Sequence, residues 1–309
     1  MTRIRAAVMR DGRLSVEEVL FVLPQGALDL EVAACGICGS DLRYLRGEDA
    51  WAKHTLGEPR ALPQEMVLGH EISAWLADGD GARLVSLIPF YTCGVCWYCR
   101  TGRPNLCAST VHHGHGSHST PEALSFGGFA ERTAAFPHQI VQMPEGVTAA
   151  EATLLDGLAV ALHACNNHAG VRPGASIVVI GAGPIGLSVL QAARFLGCVS
   201  SAVVDVSQNA LDLALRVGAD YAVQAVDTTS SDTAARLLRE VPGGFDVVFD
   251  TSDTVSGQNL ALNLVARGGT VTFMAGLAPG VVVTARDLAA EKRLTTSCNC
   301  LPSDYILGA

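Results

Sequence analysis

Residues 176–186 have the sequence SIVVIGAGPIG. The first five residues are a continuous apolar run, which is typical of a buried strand, and a helical pattern follows from residue 184. Three glycines at the spacing GxGxxG join the two. We expect Gly181 to permit a tight turn, Gly183 to let the backbone approach a pyrophosphate, and Gly186 to let helix and strand pack closely. The phosphates would then meet the N-terminus of the helix at Pro184 and Ile185.

An acidic residue stands where this interpretation requires one. Asp205 ends the next apolar run, 19 residues after Gly186, and a carboxylate at that position holds the hydroxyl groups of the adenosine ribose. A carboxylate repels the 2′-phosphate of NADP, and no arginine directly follows Asp205 to reverse that preference. The motif therefore predicts a dinucleotide site that prefers NAD, and the alternative is a plain structural turn.

The chain has two regions of different texture. Residues 1–150 contain short β-like runs between glycine, proline and histidine clusters, including 28–33, 72–77 and 83–88. After residue 150 the pattern alternates, with strands predicted at 176–180, 201–205, 245–250 and 269–275, and helices at 184–196, 208–217 and 255–266. Repeated strand–helix units favour an α/β fold with a doubly wound parallel sheet, preceded by a mostly β domain.

The composition excludes several classes of partner. The 309 residues have a net charge of −9 and contain lysine only at Lys53 and Lys292, so phosphate backbones and anionic membranes are poor partners. No run approaches the roughly 20 apolar residues of a membrane span, and the N-terminus lacks the apolar core of a signal peptide. We therefore expect a cytoplasmic protein, whose ten cysteines are better explained by metal than by disulfides.

Four cysteines have the spacing C-x2-C-x2-C-x7-C, namely Cys93, Cys96, Cys99 and Cys107. Tight turns of this kind bring four thiolates together as a closed tetrahedral site, which predicts structural zinc. An iron–sulfur cluster is one alternative, but its usual cysteine run closes with a shorter spacing and a following proline. Disulfide pairing is another, and the expected compartment disfavours it.

Five dispersed residues are candidates for chemistry, although each also has an ordinary structural explanation. Cys38 and Ser40 lie in the segment CGICGSD at 35–41, His70 and Glu71 in GHE at 69–71, and Asp156 in LLDGL at 154–158. Taken singly, they are typical of a buried cysteine, a serine that caps a helix, a hydrogen-bonded histidine and carboxylates at the ends of elements.

The order of these segments resembles that of the zinc-dependent medium-chain alcohol and polyol dehydrogenases, including the sorbitol-type branch. The resemblance rests on CGICGSD, GHE, the four cysteines, GGFAE at 127–131 and GAGPIG, and it covers nearly the whole chain. It implies a GroES-like catalytic domain with the structural zinc over residues 1–150 and an NAD-binding Rossmann domain over residues 151–285. Residues 286–309 would begin the return to the catalytic domain, and the chain ends where the returning helix is expected to begin.

The resemblance also implies a catalytic zinc bound by Cys38 and His70. Asp156 stands where the sorbitol-type branch has an acidic residue, which binds either directly or through water, and Glu71 would be an outer or exchanging ligand. One coordination position remains for the substrate oxygen, whose proton Ser40 would accept and pass to the cofactor ribose. Hydride would pass from the alcohol carbon to C4 of the nicotinamide.

Three features depart from the family or leave alternatives open. Arg43 stands where the proton relay of the family often continues through a histidine, and a guanidinium does not exchange a proton near neutral pH. Tyr44 matches an aromatic residue that lines the substrate pocket in the polyol branch, or it is a packing residue. Four histidines in a glycine- and serine-rich stretch are expected to lie in a solvated loop rather than in a third metal site: His112, His113, His115 and His118.

Together these features predict a zinc- and NAD-dependent dehydrogenase of a secondary alcohol on a polyol, sugar, cyclitol or amino alcohol. We expect a small-molecule alcohol as its partner, no nucleic acid or membrane, and a homodimer or homotetramer. One alternative is a non-catalytic relative that keeps structural zinc and nucleotide binding, and Arg43 favours it. A zinc-independent quinone or enoyl reductase is a further alternative, which would normally lack both zinc motifs.

Overall fold

The computed structural model describes residues 2–48, 55, 57, 62, 63, 65–115, 126–225, 230–274, 278 and 280–309. The chain divides into two units: one consists of Met1–Ala159 with Leu301–Ala309, and the other of Val160–Cys300. Within the described ranges, no helix has the length and apolar character needed to cross a membrane.

The first unit is mostly β, as the short alternating runs predicted. Its strands are β1 (Thr2–Arg10), β2 (Arg13–Phe21), β3 (Leu28–Gly36), β4 (Glu65–Val67), β5 (Glu71–Asp78), β6 (Gly81–Leu87), β7 (Phe90–Tyr91), β8 (Val111–His112), β9 (Arg132–Ala135) and β10 (Ile140–Gln142). They form antiparallel sheets in the orders β2-β1-β4, β10-β6-β5-β3-β9 and β7-β8. The three runs predicted from the sequence correspond to β3, β5 and β6.

Alternating side chains of the larger sheet form one of the buried clusters of this unit. Leu30 on β3, Ile72 on β5 and Leu87 on β6 are fully buried in one cluster. The helices here are α1 (Gly39–Leu45), α2 (Trp97–Arg100), α3 (Ala149–Thr153) and α4 (Leu155–His163), the last of which continues into the second unit. Helix α3 begins with a capping box, in which the Thr148 hydroxyl accepts from the Glu151 N–H and the Glu151 carboxylate accepts from the Thr148 N–H.

The second unit is a doubly wound parallel sheet, which confirms the predicted fold class. Its strands are β11 (Ser176–Ile180), β12 (Ser200–Asp205), β13 (Tyr221–Gln224), β14 (Phe245–Asp250), β15 (Val265–Phe273) and β16 (Arg293–Thr296). The spatial order β13-β12-β11-β14-β15-β16 is the 3-2-1-4-5-6 order of dinucleotide-binding folds. The helices are α5 (Pro184–Phe195), α6 (Gln208–Arg216), α7 (Ser230–Glu240), α8 (Val255–Leu264) and α9 (Ala285–Leu288).

The predicted elements of this unit lie within a few residues of the observed ones. Strand β11 has the predicted bounds, and Ile177, Val178 and Val179 on it are fully buried, as expected for a central strand covered on both faces. The strand predicted at 269–275 is observed as β15, and Ala275 lies outside the described residues. After this unit, α10 (Pro302–Gly308) belongs to the first unit again.

Candidate functional site

The four cysteines of the C-x2-C-x2-C-x7-C motif converge in the first unit, around α2 and a short 3₁₀ helix at Pro104–Leu106. The Sγ atoms of Cys96 and Cys99 are 3.5 Å apart, those of Cys93 and Cys107 3.5 Å, and those of Cys93 and Cys99 3.9 Å. Four sulfur atoms on one tetrahedral zinc ion are about 3.8 Å apart, given Zn–S bonds of about 2.3 Å. The four thiols therefore fit a closed zinc site, and their separations are too long for disulfide bonds.

The local backbone prepares this site for a cation. Hydrogen bonds from the N–H groups of Val95 and Cys96 lower the pKa of the Cys93 thiol to about 6. Burial and the neighbouring Cys96 raise the pKa of Cys99 to about 11. The first thiolate is thus stabilised by the tight turn itself, and its negative charge opposes ionisation of the others unless a metal ion compensates.

A second group of ligand atoms lies elsewhere in the first unit. Cys38, His70 and Glu71 each offer one ligand atom, and these atoms all lie within 4.8 Å of one another. Asp41 joins the two segments that carry them. Its Oδ2 accepts the N–H of Cys38 at 2.8 Å, and its Oδ1 accepts the N–H of Gly69 at 3.2 Å. The Asp41 carboxylate therefore holds the segments CGICGSD and GHE together through their backbone N–H groups.

The charge balance of this second group favours a cation. Burial lowers the pKa of His70, but its hydrogen bond with Cys38 and the charge of Asp156 outweigh that effect and raise it to about 9. Burial also raises the pKa values of Glu71 and Asp41. The raised pKa values mean that ionising Glu71 and Asp41 costs free energy here unless a positive charge lies nearby.

The donor set fits a zinc ion. A thiol, an imidazole and a carboxylate are the side chains that zinc binds in proteins. The Oγ atom of Ser40 is buried without a hydrogen-bond partner among the described residues. Buried polar atoms are nearly always paired, so this atom points to a bound group at this place.

Ser40 does not cap a helix, contrary to its ordinary structural explanation. Helix α1 begins at Gly39 and its N-cap is Cys38, so Ser40 lies within the first turn. A cap at Ser40 would start this helix at Asp41, two residues later than observed, and Ser is a commoner N-cap than Cys.

Asp156 lies outside the group formed by Cys38, His70 and Glu71. Its Oδ1 accepts a hydrogen bond from the hydroxyl of Tyr305 on α10. Burial raises the pKa of Asp156, and the Tyr305 hydrogen bond acts in the opposite direction. No local pattern could have predicted this contact, because 149 residues separate the partners.

The histidine-rich stretch is not a solvated loop where the structure describes it. His112, His113 and His115 are buried, and His118 lies outside the described residues. The ring centroid of His115 is 4.2 Å from that of His70, and the ring centroid of His112 is 4.3 Å from that of His115. The prediction failed because glycine-rich composition indicates turns but does not show what packs against them. Within the described residues, the stretch forms no third metal group.

In the second unit, the GxGxxG motif joins β11 to α5. Gly181 has a φ of +98°, and a Cβ atom there would lie 2.6 Å from the Thr251 hydroxyl. A Cβ at Gly186 would lie 1.9 Å from the carbonyl oxygen of Gly181, whereas one at Gly183 would meet no protein atom within 4 Å. Helix α5 begins with Gly183 as its N-cap and Pro184 as its first residue. Packing thus requires glycine at positions 181 and 186. At Gly183 the lack of a side chain leaves the backbone accessible to a bound molecule.

Asp205 stands at the end of β12, beside this turn. Its Oδ2 accepts the N–H of Ala182 at 2.6 Å, and its Oδ1 accepts the N–H of Ser207 at 2.8 Å. A cavity of about 410 Å³ is lined by Gly181, Asp205, Val206 and other residues of this unit. The backbone therefore fixes the carboxylate at the wall of the cavity, where its oxygens have further capacity to accept hydrogen bonds.

Two family models match the chain. The model described as an alcohol dehydrogenase GroES-like domain matches residues 24–145. The model described as a zinc-binding dehydrogenase matches residues 184–306.

Individual proteins show the same similarity. The chain is 34% identical over 263 residues to an L-threonine 3-dehydrogenase of Saccharopolyspora erythraea, covering 81% of this chain and 70% of that protein. It is 31% identical over 287 residues to a sorbitol dehydrogenase of Arabidopsis thaliana, covering 89% of this chain and 74% of that protein. A solved zinc-binding dehydrogenase of Sinorhizobium meliloti 1021, bound to NADP, has a TM-score of 0.83 and 25% identity, covering 100% of this chain and 89% of that chain.

Proposed function

Because this chain belongs to the zinc-dependent medium-chain alcohol and polyol dehydrogenase family, we propose that it oxidises a secondary alcohol with NAD. The names of its relatives refer to sorbitol and L-threonine, and both compounds carry a secondary hydroxyl group. The substrate class is therefore a polyol, sugar, cyclitol or amino alcohol. The chain is an oxidoreductase, and its own residues supply the zinc ligands and the nucleotide turn.

The observation that carries this proposal is the convergence of Cys38, His70 and Glu71, whose ligand atoms lie within 4.8 Å of one another. A protein that used its zinc only for structure would need the four-cysteine site alone. The non-catalytic alternative gives no reason for a buried thiol, imidazole and carboxylate to meet at a second place.

Each residue of the group has a chemical task. Zinc, when bound, acts as a Lewis acid that makes an alcohol oxygen easier to deprotonate. Cys38, His70 and Glu71 would hold the metal, and the negative charges of Glu71 and Asp156 would balance its charge. The Oγ atom of Ser40, which is buried without a partner among the described residues, accepts the substrate proton as its hydroxyl passes its own proton on to the cofactor ribose, so the serine stays neutral. Arg43 takes no part in this transfer, because a guanidinium stays protonated.

Asp205 supports the choice of NAD over NADP. Its carboxylate is fixed by the N–H groups of Ala182 and Ser207, so it cannot easily turn away from a 2′-phosphate. The next residue, Val206, is 65% exposed and carries no positive charge to neutralise a phosphate. The NADP in the Sinorhizobium meliloti structure makes a direct comparison of the two cofactors the first assay to perform.

The proposal is tested by metal analysis of the purified chain together with a reduction assay. Zinc per chain is measured by plasma mass spectrometry, and NAD and NADP reduction are each followed at 340 nm over a panel of polyols and amino alcohols. We expect two zinc ions per chain and reduction of NAD with at least one secondary alcohol. One zinc ion per chain and no reduction of either cofactor would support the non-catalytic alternative.

A further inference from the structure

The segment 111–115 is folded onto the segment that carries His70. A Cβ atom at Gly114 would lie 2.5 Å from the carbonyl oxygen of Gly69, and Gly114 has a φ of +67°. Only glycine allows so close an approach in that conformation. The backbone of the histidine-rich segment therefore lies directly against the residue before His70, which brings the imidazole of His115 to that of His70.

Two histidines of this segment are held by hydrogen bonds to carbonyl groups. The Nδ1–H of His112 donates to the carbonyl oxygen of His113 at 3.0 Å, and the Nδ1–H of His113 donates to that of Phe126 at 3.0 Å. His113 makes no ring contact with His70, whereas His112 lies edge-on to it, with ring centroids 5.6 Å apart. Both bonds lie just before Gly114 and His115, and the bond from His113 ties the segment to Phe126.

His115 is held differently, by a tyrosine on the helix that follows Cys38. The hydroxyl of Tyr44 and the Nδ1 of His115 are 2.7 Å apart, and Tyr44 is fully buried. The ring of His115 lies against that of His70, with centroids 4.2 Å apart and an interplanar angle of 39°. Tyr44 lies on α1, whose N-cap is Cys38. A continuous path thus runs from the helix of Cys38, through Tyr44 and His115, to the imidazole of His70.

Such a path can restrain the orientation of a metal-binding imidazole. The χ2 torsion of histidine is broad, so packing or a hydrogen bond must fix the plane of a metal-binding imidazole. Groups that orient a ligand contribute strongly to metal affinity, and their loss typically weakens it about 10- to 100-fold. The Nδ1 atom of His70 has no hydrogen-bond partner among the described residues, and its distance of 4.0 Å from Asp41 Oδ1 is too long for such a bond. Ring packing therefore restrains this imidazole on the side of Nδ1, and the ring of His115 lies closer to it than that of His112.

We propose that His115, anchored by the hydroxyl of Tyr44, is a positioning residue that fixes the imidazole of His70 for zinc. The inference rests on the proposed catalytic zinc of Cys38, His70 and Glu71. It assigns to Tyr44 and His115 a task that involves neither substrate contact nor proton transfer.

The test compares Tyr44→Phe and His115→Leu with the wild type and with His113→Asn. The asparagine keeps a donor for the Phe126 carbonyl, so it is a matched control for a buried histidine of the same segment that does not touch His70. Full-length, zinc-loaded proteins are mixed with excess chelator, and zinc per chain is followed with time. The absorption spectrum of the cobalt-substituted proteins reports ligand geometry at both thiolate-containing sites, and a change between variants reports the site of Cys38, because no substitution touches the four cysteines.

We expect Tyr44→Phe to accelerate loss of one of the two zinc ions about 10-fold, and His115→Leu to accelerate it about 10- to 100-fold. The cobalt spectrum should shift in both, while His113→Asn behaves as the wild type. If His115→Leu does not fold, Tyr44→Phe alone tests the inference, because removal of a single oxygen atom leaves the packing of the ring in place.

Two results would overturn the inference while leaving the proposed function intact. One is wild-type zinc loss and an unchanged cobalt spectrum in both Tyr44→Phe and His115→Leu. The other is equal acceleration in His113→Asn, which would assign the effect to general packing of the segment. A single zinc ion in the wild type would instead refute the proposed catalytic site, and the inference with it.

Discussion

Replacing Tyr305 with phenylalanine would remove one hydroxyl group from the contact between α10 and Asp156. The ring keeps its packing, which includes an edge contact with Phe90 at a centroid distance of 6.4 Å, so the substitution isolates the hydrogen bond. Tyr305 is fully buried, and its partner is a carboxylate. A hydrogen bond to a charged group contributes about 1.5–3 kcal/mol, so we expect the first unit to lose about 2 kcal/mol of unfolding free energy.

Tryptophan fluorescence during urea unfolding measures this loss. Trp75 and Trp97 lie in the first unit, and the second unit, Val160–Cys300, contains no tryptophan, so the signal reports the first unit. The control is Tyr98→Phe, which removes a hydroxyl from a side chain that is 41% exposed and should change the free energy by less than about 0.5 kcal/mol.

The pH dependence of the loss follows from Asp156. The Tyr305 hydrogen bond lowers the pKa of this carboxyl, whereas burial raises it, so removing the bond raises the pKa further. Loss of the Tyr305 hydrogen bond destabilises the ionised carboxylate more than it destabilises the protonated acid. The difference in unfolding free energy between the two proteins is therefore full at pH values above the folded pKa of Asp156 in the variant. It narrows as the pH falls from that pKa to the lower folded pKa of Asp156 in the wild type. A midpoint for Tyr305→Phe equal to that of Tyr98→Phe, at every pH, would refute the reasoning.

Three further predictions concern the metal and nucleotide sites. Cys99→Ser should remove one zinc ion and unfold the four-cysteine lobe before it alters NAD affinity, and a stable, zinc-replete variant would contradict this. Asp205→Ser combined with Val206→Arg should weaken NAD binding about 10-fold and strengthen NADP binding in a fluorescence titration, and a wild type that already prefers NADP would contradict the assignment. Glu71→Gln should lower the zinc content of the site formed with Cys38 and His70 more than Asp156→Asn does, because only Glu71 lies within the ligand group. Zinc content is measured by mass spectrometry, with NAD binding as the control. A larger loss of zinc in Asp156→Asn, with NAD binding unchanged, would identify Asp156 as the direct ligand.

Features that depend on neighbouring residues followed from the sequence alone. The turn between β11 and α5 is set by three glycines within six residues, because φ angles and helix–strand clearance are local properties. The meeting of the four cysteines also follows from short spacings, since a chain of a few residues confines its thiols to a small volume. Strand and helix periodicity likewise predicted the parallel sheet, because burial on both faces leaves an apolar run in the sequence.

Contacts between distant segments were decided by the tertiary structure. The spacing of His112 and His115 could not show that these rings pack against His70, because that contact depends on how Gly114 meets Gly69. The family resemblance named both Glu71 and Asp156, but only packing separates a carboxylate within the ligand group from one bound to Tyr305. The sequence thus determined the residue types and their local turns. The tertiary structure decided which of these residues are in contact, because it packs together segments up to 149 residues apart. The directions of side chains across a core are fixed only when the whole core forms.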